Sequence, residues 1–393
     1  MNLLFYLDFE CCPSIGGIER ITDILVSGFS YIYQHKVFCI YKKKIHKDVT
    51  RTEFANTYHV PNATSSAIAE IIRNNKIDII INQEYHWDSA LLHNAVKLSG
   101  RKCAIIYVLH SAPMRHALEF VKIKHVFKEL MGGNKKALLK LCFYPLYKRK
   151  NLSDTKRYYR NAAAYSDKIV LLSKEFIDDW QNIIGDNESS KISVIPNISS
   201  FDTFASTQDI AFKQPKVLFV GRLTEPVKRV GIILEIWRKI ESDNHFSNWA
   251  LDIVGYGEDK SHYEKFVADH NLKRVSFYGQ QNPEPYYKRS SIFLMTSAFE
   301  GWPMTLTEAS QFGCVPMAFN TFASLSDIIK NGENGFIVEE GMVDDYEKKL
   351  KNLMESVELR TKMAYKAVEM SRRYDKPVVL DLWNNLFKEL NLK

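Results

Sequence analysis

Four charged residues in the second half of this 393-residue chain have the types and spacing for chemistry on a phosphorylated ligand. Glu300 and Glu308 stand eight residues apart in SAFEGWPMTLTEAS, where an apolar run gives way to a predicted helix. A carboxylate in such a loop accepts hydrogen bonds from sugar hydroxyls, and one on the following helix can take both hydroxyls of a ribose. Between them Gly301, Trp302, Pro303, Met304, Thr305 and Leu306 lead into the helix. Its first backbone N–H groups lack intrahelical acceptors and suit phosphate oxygens. Gly313 is placed to close it. Arg222 and Lys228 share an earlier loop, after VLFVG, where a planar fork and a point charge could clamp a diphosphate. Together the four suit a nucleotide-sugar held at both ends. The bland alternatives are a surface acid at 300, a dipole-compensating acid at 308 and a solvated cationic loop, since Arg229 is basic too.

Strand-like runs alternate with helical ones throughout, and these must position the four. In the first half the runs are LLFYL, VFCIY, IDIIIN, CAIIYVLH, KIVLLS and ISVIPN, nearly continuous in apolar residues as in strands covered on both faces. Ile18, Ile21, Leu25, Phe29 and Ile32 recur at helical spacing after Gly16-Gly17. The second half restarts with VLFVG, LDIVG, VSFYG, IFLMTS, VPMAF and GFIV. Helices are predicted near Val230–Ile240 and Lys260–His270. Repeated βα units predict an α/β fold, a parallel sheet in each half. Residues 1–200 are expected to form an N-terminal Rossmann-like domain, and residues 201–375 a second one facing it across a central cleft. Residues 376–393 would be a helix following the Lys376-Pro377 break and packing back on the first. The polar stretch from Ser199 to Pro215 reads as the linker. Sites in such folds lie beyond the carboxyl ends of the strands. Gly16 and Gly17 suit an anion at a helix start or simply a tight turn. Gly255-Tyr256-Gly257 lacks the third glycine of a dinucleotide fingerprint, which argues against a dehydrogenase.

The bulk composition is that of an ordinary globular protein, 46% hydrophobic and 25% charged. No apolar run approaches the ~18 residues that span a bilayer, and MNLLFYLDFE reads as a first strand rather than a signal peptide. The six cysteines have no metal-ligand spacing and read as reduced packing residues of a cytosolic protein. Asp8-Phe9-Glu10 is the one acidic triplet with a metal-like look, and no further ligands group with it. Charge is uneven. Residues 115–160 hold thirteen Lys/Arg against Glu119, Glu129 and Asp154, a net +10 in a chain of net +7. Phe120, Phe127, Phe143, Tyr144, Tyr147, Tyr158 and Tyr159 interleave with them. Such a segment suits an anionic membrane surface, or a solvated helix with a core-facing stripe; nucleic acid is not expected.

EGWPMTLTEA resembles the E-x7-E motif of the retaining glycosyltransferases of family 4, which have the GT-B fold. PSIGGIER resembles that family's glycine-rich loop, VIPN its strand before the linker, VLFVGRL with Lys228 its donor-diphosphate loop and NGENGFIV a late strand. The resemblance implies a metal-independent hexosyltransferase that needs no cofactor, with residues 1–200 as the acceptor-binding domain and 201–375 as the nucleotide-sugar donor-binding domain. It would move a sugar from a UDP- or GDP-linked donor to a glycan or lipid-linked acceptor, in capsule, lipopolysaccharide or other cell-surface polysaccharide synthesis, as a cytoplasmic protein peripheral to the inner face of the plasma membrane. Glu300 would contact the transferred sugar, Glu308 the ribose, and Arg222 and Lys228 the departing diphosphate. His110 matches the family's active-site histidine. Gly16 and Gly17 would approach the donor, and Tyr278 and Gly279 would line the base pocket. Two departures stand out. Lys228-Arg229 replaces a Lys-Gly pair, for a tighter helix start or an extra phosphate contact, and Asn320-Thr321-Phe322-Ala323 replaces a glycine pair. A nucleotide-sugar epimerase or phosphorylase on the same fold is the alternative, and a non-catalytic sugar-nucleotide sensor a more distant one.

Overall fold

The computed structural model describes all residues except 47–48, 84–87, 115–117, 119–122, 124–125, 127–129, 132–135, 186–189 and 391–393, and the side chains of residues 136 and 226. Arg115, Glu119, Phe120, Phe127 and Glu129 of the basic segment therefore lie outside the described residues. The chain forms two compact units: Met1–Ile198 with Val379–Lys393, and Ser199–Val378.

The first unit is built on seven parallel strands: β1 (Asn2–Phe9), β2 (Lys36–Lys43), β3 (Asn56–His59), β4 (Ile79–Asn82), β5 (Ala104–Leu109), β6 (Lys168–Leu171) and β7 (Ile192–Val194). They lie in the order β3-β2-β1-β4-β5-β6-β7. Every residue of β4 and of β5 is buried, as continuous apolar runs demand when both faces are covered. The NTYH strand β3 is the exception. It is a largely exposed edge strand in which Tyr58 alone packs against the core, so it left no apolar run to read. Helix α1 (Gly17–Tyr31) buries Ile21, Leu25 and Phe29. Ile18 and Ile32 were expected on the same face but are exposed, because they lie at the two ends of the helix, beyond the edge of the core. Helices α2 (Lys136–Cys142) and α3 (Tyr144–Tyr165) carry the described part of the basic segment.

The second unit repeats the plan with β8 (Gln214–Val220), β9 (Ala250–Val254), β10 (Val275–Phe277), β11 (Ser290–Met295), β12 (Val315–Asn320) and β13 (Phe336–Glu339), ordered β10-β9-β8-β11-β12-β13. Helix α4 (Val230–Glu241) buries Val230, Ile233, Leu234, Trp237 and Ile240 against the sheet, and α5 (Met304–Gln311) follows β11. The stretch expected as a linker contains a short helix, Thr207–Ala211, held by a capping box between Ser206 and Asp209. The final helix α6 (Lys376–Glu389) includes the Lys376-Pro377 pair in its first turn, where proline is tolerated, rather than following it. Trp383 and Phe387 of α6 pack edge-on against Phe29 of α1, and Gly28 leaves the space that Leu380 fills.

All six cysteines are free thiols; five are buried, and Cys142 is exposed rather than packed. Among the described residues no helix is long and apolar enough to cross a membrane.

Gly255 and Gly257, on the loop after β9, are structural. A Cβ on Gly255 would stand 1.9 Å from the Gly221 carbonyl oxygen, and one on Gly257 2.1 Å from that of Leu223. Gly255 also has φ +146, which disfavours any side chain. Gly255→Ala is expected to cost at least about 3 kcal/mol of stability. Gly17→Ala, whose Cβ would meet nothing within 4 Å, should cost at most about 1 kcal/mol. Urea denaturation of both variants would check the contrast.

Candidate functional site

In both sheets the strand order reverses beside the first strand, between β1 and β4 and between β8 and β11. The loops leaving the carboxyl ends of such a pair diverge to opposite faces and leave a crevice. In the second unit those loops are the ones that carry Arg222 to Lys228 and Glu300.

The two loops are stitched together by backbone groups that the sheet ladder no longer serves. The Ala298 amide donates to the Val227 carbonyl at 2.7 Å. The Thr296 hydroxyl is 3.0 Å from the carbonyls of both Lys228 and Arg229. Arg229 donates from Nε to the Thr296 carbonyl at 2.7 Å and from Nη2 to that of Ser297 at 3.0 Å, and it pairs with Glu340 at 2.7 Å. Its backbone is left-handed, φ 51 and ψ 46, the conformation a glycine would adopt at this point. The guanidinium is thus held by two carbonyls and the Glu340 carboxylate. Thr321, where glycine was expected, donates to the Ser297 carbonyl at 2.6 Å and completes the stitch.

The consequence is that Lys228 Nζ stands 2.5 Å from Glu300 Oε1, with both side chains largely shielded from solvent. Arg222, by contrast, is exposed and pairs with no described residue. The structure therefore joins one of the two cations, Lys228, to Glu300.

Glu308 lies on α5, wholly buried, and accepts a hydrogen bond from the Tyr287 hydroxyl at 2.9 Å. Tyr287 is itself held by stacking on Phe312. Sequence reasoning missed Tyr287, whose only signal was its place in EPYYKR before the strand. Pro303 caps α5 without a side-chain hydrogen bond, so the Met304 and Thr305 amides at its start take no capping group from Pro303. Leu306 is buried in the core and its amide bonds the Pro303 carbonyl. The Gly301 carbonyl accepts from Ser324 at 2.7 Å, and Trp302 packs edge-on against Tyr374. Gly313, at φ +71, follows the end of α5.

Tyr278 follows β10, and its ring lies beside Tyr286 and the Arg289 guanidinium. Arg289 in turn pairs at 2.5 Å with Asp252, which also pairs with Lys216 at 3.0 Å and accepts a hydrogen bond from the Tyr278 hydroxyl at 3.4 Å. Gly279, with φ +70, turns the chain after it.

In the first unit Gly16 caps α1 without a side-chain hydrogen bond. His110 directly follows β5 and lines a small cavity with Gln83, Asn197 and Trp383. Its two ring nitrogens have no hydrogen-bond partner among the described residues, and burial lowers its pKa to about 4. Asp8 pairs with Lys43 at 2.7 Å, and Glu10 with Arg51 at 2.9 Å. Among the described residues no group of three His, Cys, Asp or Glu could hold a metal ion.

Residues 201–370, which lie within the second unit, match the family model for glycosyl transferases group 1. The amylovoran biosynthesis glycosyltransferase AmsD of Erwinia amylovora is 30% identical over 227 residues, 56% of this chain and 62% of its own length. The match thus spans about three-fifths of that relative. Over the whole chain the fold is that of the lipopolysaccharide outer core galactosyltransferase WaaB in its apo form. The TM-score is 0.68 at 20% identity, covering 99% of this chain and 100% of that one. It is likewise that of Anabaena Alr3699/HepE in complex with UDP, at TM-score 0.73 and 14% identity, over 99% of this chain and 100% of that one. Two parallel-sheet, Rossmann-like domains of the GT-B class are the architecture of the chain.

His110 also makes stability depend on pH. A folded-state value of about 4, below the ordinary 6.5, means that the unfolded chain binds more protons between those limits. This part of the stability is intact above pH 6.5 and is lost as the pH falls toward 4. His35, lowered to about 4 by burial and by the charged N-terminus, acts in the same window. His110→Asn is expected to flatten the fall in urea midpoint between pH 7 and pH 5 without abolishing it.

Proposed function

We propose that this chain is a retaining glycosyltransferase of family 4. It would move a sugar from a nucleotide-linked donor, UDP- or GDP-based, to an acceptor hydroxyl in the synthesis of lipopolysaccharide or another cell-surface polysaccharide. The observation that carries the reading is the Lys228–Glu300 pair at the strand-order reversal, inside the segment that matches glycosyl transferases group 1. It is supported by AmsD being a glycosyltransferase of amylovoran biosynthesis, by WaaB being a lipopolysaccharide outer core galactosyltransferase and by the UDP bound to HepE.

In sugar transfer, positive charge develops on the sugar and negative charge on the departing diphosphate. A cation already fixed by its surroundings stabilises that leaving group without reorganising at the moment of reaction. Lys228 is so fixed, and its ligand-free partner is Glu300. A donor diphosphate would compete with Glu300 for the ammonium, and the carboxylate would turn to the sugar hydroxyls. Arg222, exposed on the same loop, is the second cation for the diphosphate. Glu308, oriented by Tyr287, would receive the ribose, and the amides of Met304 and Thr305 would face phosphate oxygens. No residue is assigned as a covalent nucleophile, because Glu300 and Glu308 serve opposite ends of the donor. No metal or cofactor enters the scheme.

The roles separate by experiment. Lys228→Ala is expected to lower kcat by about 10²–10³-fold, the usual effect of removing one preorganised donor. Glu300→Gln should abolish turnover yet leave free UDP or GDP bound as tightly or more tightly, since the competing carboxylate is gone. Glu308→Ala should instead weaken binding of the free nucleotide. Calorimetry with both nucleotides and steady-state kinetics read these outcomes. If Glu300→Gln weakened nucleotide binding more than Glu308→Ala, the division of roles would be wrong. His110→Ala should lower kcat and leave nucleotide affinity unchanged.

A further inference from the structure

The described part of the basic segment presents an apolar stripe with no described partner. Leu138 and Leu139 are 56% and 63% exposed, Phe143 is 58% and Leu146 64% exposed. The helical progression runs through the junction of α2 and α3. The Phe143 amide bonds the Leu139 carbonyl at 3.1 Å, and the Tyr147 amide that of Phe143 at 2.9 Å. Residues 139, 143 and 146 therefore fall on one side of a nearly continuous helix. No residue from Tyr144 to Tyr158 is fully buried, and packing into the unit begins only at Tyr159, Ala162 and Ala163. At about 1.5 Å per residue this part of α3 extends roughly 22 Å.

The charge beside the stripe is of one sign. From Leu138 to Ser153 the chain has Lys140, Lys148, Arg149 and Lys150 and no acid. Lys148, Arg149 and Lys150 are exposed and form no ion pair with a described residue. The next acid, Asp154, is 3.3 Å from Arg157.

We propose that this face docks on an anionic lipid bilayer. Leu139, Phe143 and Leu146 enter the boundary between headgroups and acyl chains, and Lys150, on the same side, and Arg149, at its edge, lie at the lipid phosphates, while Lys148 falls on the opposite face. Apolar burial and the attraction of these two cations then act together on one helix, the pattern of interfacial helices that lie on a membrane without crossing it. Charge selects this occupant over a second copy of the chain, which would set cation against cation. Nucleic acid would meet the cations but find three leucines where base stacking needs aromatic or guanidinium faces. The proposal goes beyond sugar transfer and does not rest on it.

The test is flotation of the full chain with vesicles of phosphatidylcholine alone or mixed with phosphatidylglycerol. Binding is expected only to the mixed vesicles, weakening as salt rises. Each cation at an anionic surface contributes roughly fivefold, so the double variant Arg149→Glu, Lys150→Glu should bind at least about twenty-five-fold more weakly. Leu139→Asp with Phe143→Asp should lose binding with the basic residues intact. Unchanged thermal midpoints for both variants would show that folding is preserved. Equal binding to neutral vesicles, or undiminished binding by either variant, would overturn the proposal. So would failure of the wild type to float together with a concentration-dependent dimer that Phe143→Asp dissociates, an outcome that assigns the stripe to self-association.

Discussion

Where a parallel sheet ends, its ladder stops serving the backbone, and every shielded carbonyl must find another donor. At the ends of β8 and β11 that requirement shapes the candidate site. The carbonyls of Thr296 and Ser297 are met by the Arg229 guanidinium and the Thr321 hydroxyl, and those of Lys228 and Arg229 by the Thr296 hydroxyl. Once these bonds are made, the loops have little freedom, and Lys228 is carried to Glu300. The glycine contacts beneath them act in the same direction. The loop after β9 can pass under Gly221 and Leu223 only because residues 255 and 257 have no side chain.

Arg229 shows how local strain is offset. A left-handed backbone at a non-glycine residue costs about 1–3 kcal/mol and persists only when its surroundings impose it. Here the same side chain supplies the compensation, through two carbonyls and Glu340. The position thus combines the turn of a glycine with a cross-link that glycine lacks.

The fold class was legible because most strands are buried on both faces and therefore read as apolar runs. β3 was not, since an exposed NTYH edge carries no such signal. The ends of α1 were misread because periodicity identifies a face but not where the core beneath it stops, as Ile18 and Ile32 show. The glutamates and cations stood out by type and by position after strands. Which of them meet did not. Lys228 and Glu300 are 72 residues apart, and their contact depends on β11 lying beside β8 rather than on any local pattern. Tyr287 was missed for a related reason: a tyrosine before a strand reads as packing until the carboxylate under its hydroxyl is seen. Cys142 was read as a packing residue, although the exposed stripe around it has no described partner on that side.

The course of the chain has a consequence for its synthesis. The first unit is interrupted: its last helix, α6, is reached only after all of Ser199–Val378 has been made. At about 5–20 residues per second, those 180 residues take a ribosome roughly 10–40 s. Throughout that interval Phe29 and the bare surface of Gly28 lack the Leu380, Trp383 and Phe387 that cover them. The nascent chain thus holds an open apolar flank on α1 until Leu380, Trp383 and Phe387 emerge, so the first unit cannot close before the second has been made.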